Sequence, residues 1–480
     1  MLDEDTVIKT LRNNNEHLLL YNVLCVIILP TIFFGAHSEL LTGIFISLGI
    51  VAPINICKYI ASWSPRPIIP LRQMLMYTLP WLISLAITVC GMCNGGLQPI
   101  NMGEFIYFEL LPTNKFSPMN AYEHALAPLS AELISLSAFL VGLSVFMITD
   151  SRFVIRKILI SASIAVSALM IVGVLFNFLG NFEESMYTKS YSRTFATFVD
   201  SSQWASLAIL WIGASFAMAL YSGQRFRILS FLYSMRFMGL TLAIILFVGV
   251  LFAGKPIHHF FAYLISAISL TLFAIDVAPI KKNARRHEML RHISSHTMRL
   301  KKMRPTFAMY LSLALFMYVG AIYTAMQVKT NPKYLIVDYP ESPSITYAEK
   351  ISLWEDSVKM FDNNHILFGY GTASYPNVFA FYQGSDLDSA PWTSPQSDLL
   401  QKLLENGVVG LVLSSLTFTF LFLRWIFKRQ ISPSGAIMML SVFALLAISI
   451  VKIPFQSIAI LSSFWVLAMS TFRWDDFKVG

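Results

Sequence analysis

Charge is what this chain has least of. Only 13% of its 480 residues are Asp, Glu, Lys or Arg, about half of what a soluble globular protein carries. With 56% hydrophobic residues and a mean hydropathy of +0.62, that excludes an ordinary soluble domain. Cysteine is scarce as well. The four, Cys25, Cys57, Cys90 and Cys93, fall in or at the ends of apolar runs, which excludes a disulfide-built secreted framework. Cys90 and Cys93 stand three apart. One reading is a disulfide or a shared metal; the plainer one is small apolar packing, because no second ligand pair accompanies them. No Gly-rich nucleotide loop, zinc signature or Ser-His-Asp pattern occurs, so any chemistry uses no nucleotide held within this chain. Internal repeats, low-complexity tracts and the alternation of a membrane barrel are also missing.

What is present is a series of apolar runs of about 17–25 residues, each long enough to cross roughly 30 Å of hydrocarbon. They are read at 18–35, 40–60, 73–93, 125–148, 157–179, 203–222, 231–253, 257–278, 306–326, 407–427, 435–451 and 455–472. Backbone groups in lipid must be bonded within their own segment, so these are helices. The fold expected is therefore an all-α integral membrane protein with about 12 transmembrane helices. The first 17 residues are polar and no small-residue cleavage site follows, so the first run is read as a span rather than a signal peptide.

Lysine and arginine set the expected orientation. With the N-terminus inside, roughly two thirds of the 35 basic residues fall on the inner loops, among them the run from Lys281 to Arg304. Both termini are then cytoplasmic. The basic run beside two spans reads as a topology anchor on anionic lipid rather than a nucleic-acid patch. The outward segments become 94–124, 180–202, 254–257 and 327–406. The last far exceeds an ordinary connection, and it is read as a helical loop subdomain embedded in a single membrane domain, 1–480.

Within that loop Ser344 to Phe361 has a helical pattern, with Ile351, Trp354, Val358 and Phe361 on one face. A tight turn follows at Gly369-Tyr370-Gly371. A second helix is expected after Ser394 as cap, with Pro395 at its first position. Gln396 and Ser397 would then lie in its first turn, where free N–H groups and the positive dipole end suit a phosphate or pyrophosphate. Asp398, Gln401, Lys402 and Glu405 form a polar stripe along it. Gly407 and Gly410 would allow close helix packing at the membrane surface. Other outward polar groups are Arg193, Lys255, His258, His259, Lys350 and His365; Glu132 lies about two turns inside the fourth span, as either a functional carboxylate or a structural hydrogen bond.

In these places the chain resembles the O-antigen ligase / O-antigen polymerase superfamily of bacterial membrane glycosyltransferases. That family's signature is His, then Asn, Ser or Gln, nine residues, and Gly-x-x-Gly. Ser397, nine residues, Gly407 and Gly410 are similar to it, with Asp398, Gln401 and Glu405 between. The stretch from Arg193 to Ala205 resembles the family's Arg-x-x-Gly-Thr-Phe segment before a span. Glu349, Lys350 and Trp354, followed by Phe368-Gly-Tyr-Gly371, resemble its Glu-Arg-x-x-x-Trp helix and Phe-Gly-x-Gly turn. The departures are Gln396 at the family's His, Lys350 at an Arg, and Gly254-Lys255-Pro256 at a Ser-Arg-Gly.

The resemblance implies a GT-C-like layout with the long periplasmic loop between spans 9 and 10, in the bacterial inner membrane. It implies transfer of a glycan from undecaprenyl pyrophosphate to an acceptor sugar or glycolipid at the periplasmic face, without metal or other cofactor, by a ligase or a polymerase. Arg193, Lys255 and Lys350 would bind the pyrophosphate and stabilise it as it leaves, with Ser397 and Trp354 beside it. Gln396 stands where the acceptor hydroxyl is handled, but an amide is no base. Gln396 then orients the hydroxyl, or Asp398, Glu405 or His365 is the base, or the chemistry is lost. A secondary transporter and a non-catalytic assembly partner are the readings from other classes.

Overall fold

The computed structural model describes residues 4–32, 39–63, 68–102, 105–111, 116–121, 126–148, 152–179, 198, 201–221, 234–277, 305–330, 347–384, 387, 392–428 and 431–476. Among the described residues nine long helices come first: α1 (Glu4–Ile32), α2 (Glu39–Trp63), α3 (Ile68–Met92), α4 (Leu126–Phe146), α5 (Arg152–Leu179), α6 (Ser201–Tyr221), α7 (Met235–Ala253), α8 (Pro256–Val277) and α9 (Pro305–Thr330). Two extramembrane helices follow, α10 (Tyr347–Lys359) and the short α11 (Tyr375–Phe379). The chain ends with α12 (Asp398–Ile426), α13 (Pro433–Val451), a 3-10 turn at Pro454–Gln456 and α14 (Ile458–Trp474). Among the described residues, eleven helices are long and apolar enough to span a membrane. The twelfth run expected from sequence is α14, apolar but only 17 residues long.

The protein is thus a multi-pass helical membrane protein. One element departs from all-α. Leu97–Met102 (β1) and Phe105–Leu110 (β2) form an antiparallel hairpin, Leu97 opposite Leu110 and Met102 opposite Phe105. Its β2 carries Ile106, Tyr107 and Phe108 in succession, residues that favour the pleated backbone. Hydropathy reading had given this outward segment no structure.

α6 is the axis of the bundle. Every residue from Ser202 to Leu220 is buried, and α5, α7, α8, α13 and α14 all pack on it. A second, smaller core lies under the loop. It joins Leu353, Met360, Tyr370, Tyr375, Val378, Phe379, Trp392 and Leu404 to Met119 and Ala121. At the far end of the bundle Asp475 accepts from the Trp425 indole and the Ser432 N–H, while Asp476 pairs with Arg424, Lys428 and Arg473.

α12 is broken. Gly407 has φ 62° and ψ −171°, a backbone region essentially closed to residues with a Cβ. The break leaves carbonyls before it and N–H groups after it without helical partners. The loop fills them: Tyr370 N–H donates to Leu404 C=O (3.1 Å) and Gly371 N–H to Glu405 C=O (2.8 Å). On the other side Val408 N–H donates to Ile366 C=O and Val409 N–H to Leu367 C=O, both at 3.0 Å. Gly407 is therefore a chain break that docks the loop, not the smooth helix-packing contact read from sequence. The turn of Gly369 (φ 68°) and Gly371 (φ 96°) is what lets the loop run so close.

Candidate functional site at the loop end of the bundle

Helix α12 begins three residues later than the sequence suggested. Ser397, not Ser394, is its cap, with extended φ/ψ and its hydroxyl accepting from Leu400 N–H (3.3 Å). Gln396 therefore precedes the cap instead of sitting in the first turn. It is buried, its φ is +58°, and its Oε1 has no hydrogen-bond partner among the described residues. Only one other described non-glycine residue, Ala373, has positive φ. A buried, strained glutamine with an idle carbonyl is a costly arrangement for packing alone.

The stretch before the cap is held by α10. The Trp354 indole donates to Pro395 C=O (2.8 Å), next to Gln396. One turn earlier Lys350 lies over the Trp354 ring, with Nζ 5.1 Å from its centroid, and donates to Val451 C=O (2.6 Å) at the end of α13. Lys350 is buried. Burial, and behind it the nearby Lys452 ammonium, bring its ammonium down from the usual 10.5 to about 7.

The apolar face of α10 seen in the sequence is not the face that is buried. Ile351 and Val358 are exposed, whereas Lys350, Leu353, Asp356, Ser357 and Met360 are buried. Asp356 and Ser357 turn in because they have partners, while Glu355 and Lys359 stay exposed. Asp356 accepts from Gly384 N–H (2.8 Å), and the Ser357 and Tyr375 hydroxyls meet at 2.8 Å.

The turn after α13 is joined to the start of α12. Asp398 N–H donates to Lys452 C=O (3.2 Å), and the Asp398 carboxylate accepts from Phe455 N–H (2.8 Å). Lys452 is buried and lies within electrostatic reach of both Lys350 and His258. His258 is the first turn of α8. Its Nδ1 accepts from Lys255 N–H (3.2 Å), so its other nitrogen carries the hydrogen and meets Ser206 Oγ on α6 at 3.1 Å. Lys255, His258, Lys350, Lys452, Trp354, Gln396 and Ser397 thus gather at one end of the bundle, from the α7–α8 corner, α8, α10, the start of α12 and the end of α13.

The carboxylates expected along the stripe separate. Asp398 is beside this cluster but braces the Phe455 turn. Glu405 accepts from Ala373 N–H (3.0 Å), Tyr375 N–H (3.4 Å) and the Gln401 amide (3.0 Å), so it holds the loop. Glu132 of α4 takes Thr372 Oγ1 (3.1 Å), Lys402 Nζ (3.1 Å) and Asn406 Nδ2 (3.2 Å) on one oxygen, an anchor for loop and α12 together. His365 stacks on Tyr370 at 4.1 Å. Arg193 lies outside the described residues, as do residues 194–197, 199 and 200. Cys90 and Cys93 are free thiols.

Sequence reading missed Lys452 altogether and gave His258 no role. The available signal was a lone lysine between the last two spans, on the side where basic residues are depleted.

No protein-family model matches the chain, and no curated protein matches it.

Proposed function

We propose that this protein is a glycosyltransferase that moves a glycan from a polyprenyl diphosphate, undecaprenyl pyrophosphate in a bacterial inner membrane, to an acceptor sugar at the membrane's outer face. The observation that carries the reading is the meeting of Lys350 and Lys452 beside the start of α12, with Lys452 and Lys255 both within electrostatic reach of His258. Lys350 and Lys452 are buried and Lys255 is half-buried; ammonium groups near the end of a membrane bundle suit an anionic group presented from the bilayer. A diphosphate leaving group gathers negative charge as the glycosidic bond breaks, and preplaced ammonium groups stabilise that charge.

Gln396 would orient the acceptor hydroxyl. Its idle Oε1 is an acceptor for such an O–H. With no strong base in hand, most of the barrier lowering falls on the departing diphosphate. General-base help is typically worth about 10²–10⁴-fold, so its absence slows transfer without forbidding it. The O-antigen ligase reading and the polymerase reading share this chemistry and differ in the acceptor.

The test is removal of the gene followed by electrophoresis of surface polysaccharide. Loss of the lipid-A-attached ladder marks a ligase, and a single-repeat band marks a polymerase. An unchanged pattern with altered solute uptake would replace the transferase by a transporter. Purified protein with a polyprenyl-diphosphate glycan should transfer it, and Lys350→Ala should reduce transfer strongly.

A further inference from the structure

We propose that Lys452 is a ligand of the donor's diphosphate and forms with Lys350 a clamp around it. This rests on the transferase reading above.

Lys452 occupies the gap between α13 and the 3-10 turn, where the backbone is fixed on every side. Its N–H donates to Ile448 C=O (2.9 Å), its C=O accepts from Asp398 N–H (3.2 Å), and the following turn returns to the Asp398 carboxylate through Phe455 N–H. Lys350 is bonded to the residue before it, at Val451 C=O. Two rigid elements therefore bring two ammonium-bearing side chains together, 4% and 2% exposed. Burying one ammonium is costly and burying two side by side is more so. An apolar residue would close this turn without that cost. The adjoining Gln396, also 2% exposed with an idle Oε1 and strained backbone, is a second mark of a site kept for a ligand.

The charged group that acts on Lys350 is Lys452 at the end of α13; Lys452 in turn faces His258, beside Lys255 at the α7–α8 corner, and is bonded through its C=O to Asp398 N–H at the start of α12, while Glu349 precedes Lys350 on its own helix. Asp398 is engaged by Phe455 N–H. The neighbouring Lys452 opposes charge on Lys350. A bound diphosphate reverses that balance, so Lys350 takes up a proton as the ligand enters.

The experiment uses the full chain in phosphatidylcholine nanodiscs and titrates geranylgeranyl diphosphate by calorimetry. Lys452→Gln should weaken binding about tenfold or more, and Lys452→Arg should stay within about threefold of the unaltered protein. Binding by Lys452→Gln equal to wild type, with Lys350→Gln impaired, overturns the Lys452 assignment and leaves the transferase reading standing. No binding by the unaltered protein overturns both. The unaltered protein also gives a test free of folding defects. At pH 8, titrations in buffers of different ionisation enthalpy should show net proton uptake as the diphosphate binds, and no uptake overturns the clamp. Inorganic pyrophosphate in excess should compete. Displacement by phosphatidylglycerol instead would make the site a lipid-headgroup site and overturn the diphosphate assignment.

Discussion

Replacing Gly407 by Ala attacks the joint on which the loop depends. A Cβ there would sit 2.2 Å from Leu367 O, 2.4 Å from Leu367 C and 2.6 Å from Phe368 N. All three are backbone atoms, so no side-chain rotation relieves the clash. The φ of 62° with ψ of −171° costs a non-glycine residue about 1–3 kcal/mol. The loop must also withdraw, and the first bonds lost are Val408 N–H to Ile366 C=O and Val409 N–H to Leu367 C=O. At about 1 kcal/mol each, net, they add roughly 2 kcal/mol. The total expected is about 3–5 kcal/mol. Unfolding by SDS titration in mixed micelles measures it, and limited proteolysis of 361–371 reports whether the loop has come away. Gly43→Ala is the control, since a Cβ there meets nothing within 4 Å and should be neutral or slightly stabilising in a helix. Stability of Gly407→Ala within about 0.5 kcal/mol of wild type, with an equally resistant loop, would refute the broken helix and the docked loop together.

Four further outcomes are expected. Lys350 is held at about 7, below its unfolded 10.5, so the unfolded chain binds more protons between those values. Stability of the ligand-free protein should therefore be lowest below about pH 7 and rise towards pH 10.5, by at most about 1.4 kcal/mol per unit, and Lys350→Met should abolish the rise. Transfer should run the other way, with kcat/KM falling above about pH 7 as the Lys350 ammonium is lost, and Lys350→Arg should flatten the profile because a guanidinium stays charged. Gln396→His should retain or raise transfer activity if residue 396 orients the acceptor; inactivity of both forms would mark a non-catalytic partner. Glu132→Ala strips Thr372, Lys402 and Asn406 of their shared acceptor and should destabilise by about 1–3 kcal/mol, whereas Glu132→Gln, which keeps an acceptor oxygen, should cost less; SDS titration of the pair decides it.

The sequence alone determined the spans. Hydropathy is a sum over a local window, and an apolar run long enough to cross a bilayer becomes a helix whatever its neighbours do. The glycine turn at 369–371 was legible for the same local reason. The tertiary structure decided everything that needs two distant segments at once. It turned Asp356 and Ser357 of α10 inward, because they find partners at Gly384 and Tyr375. It moved the cap to Ser397, because Trp354 holds Pro395 outside the helix. It made Gly407 a break, because a loop about 40 residues upstream supplies the missing hydrogen bonds. Lys255, Lys350 and Lys452 come from three separate turns at helix ends, and only the packing of α8, α10, α12 and α13 makes them one cluster; no periodicity within any one of those segments encodes the distance between them.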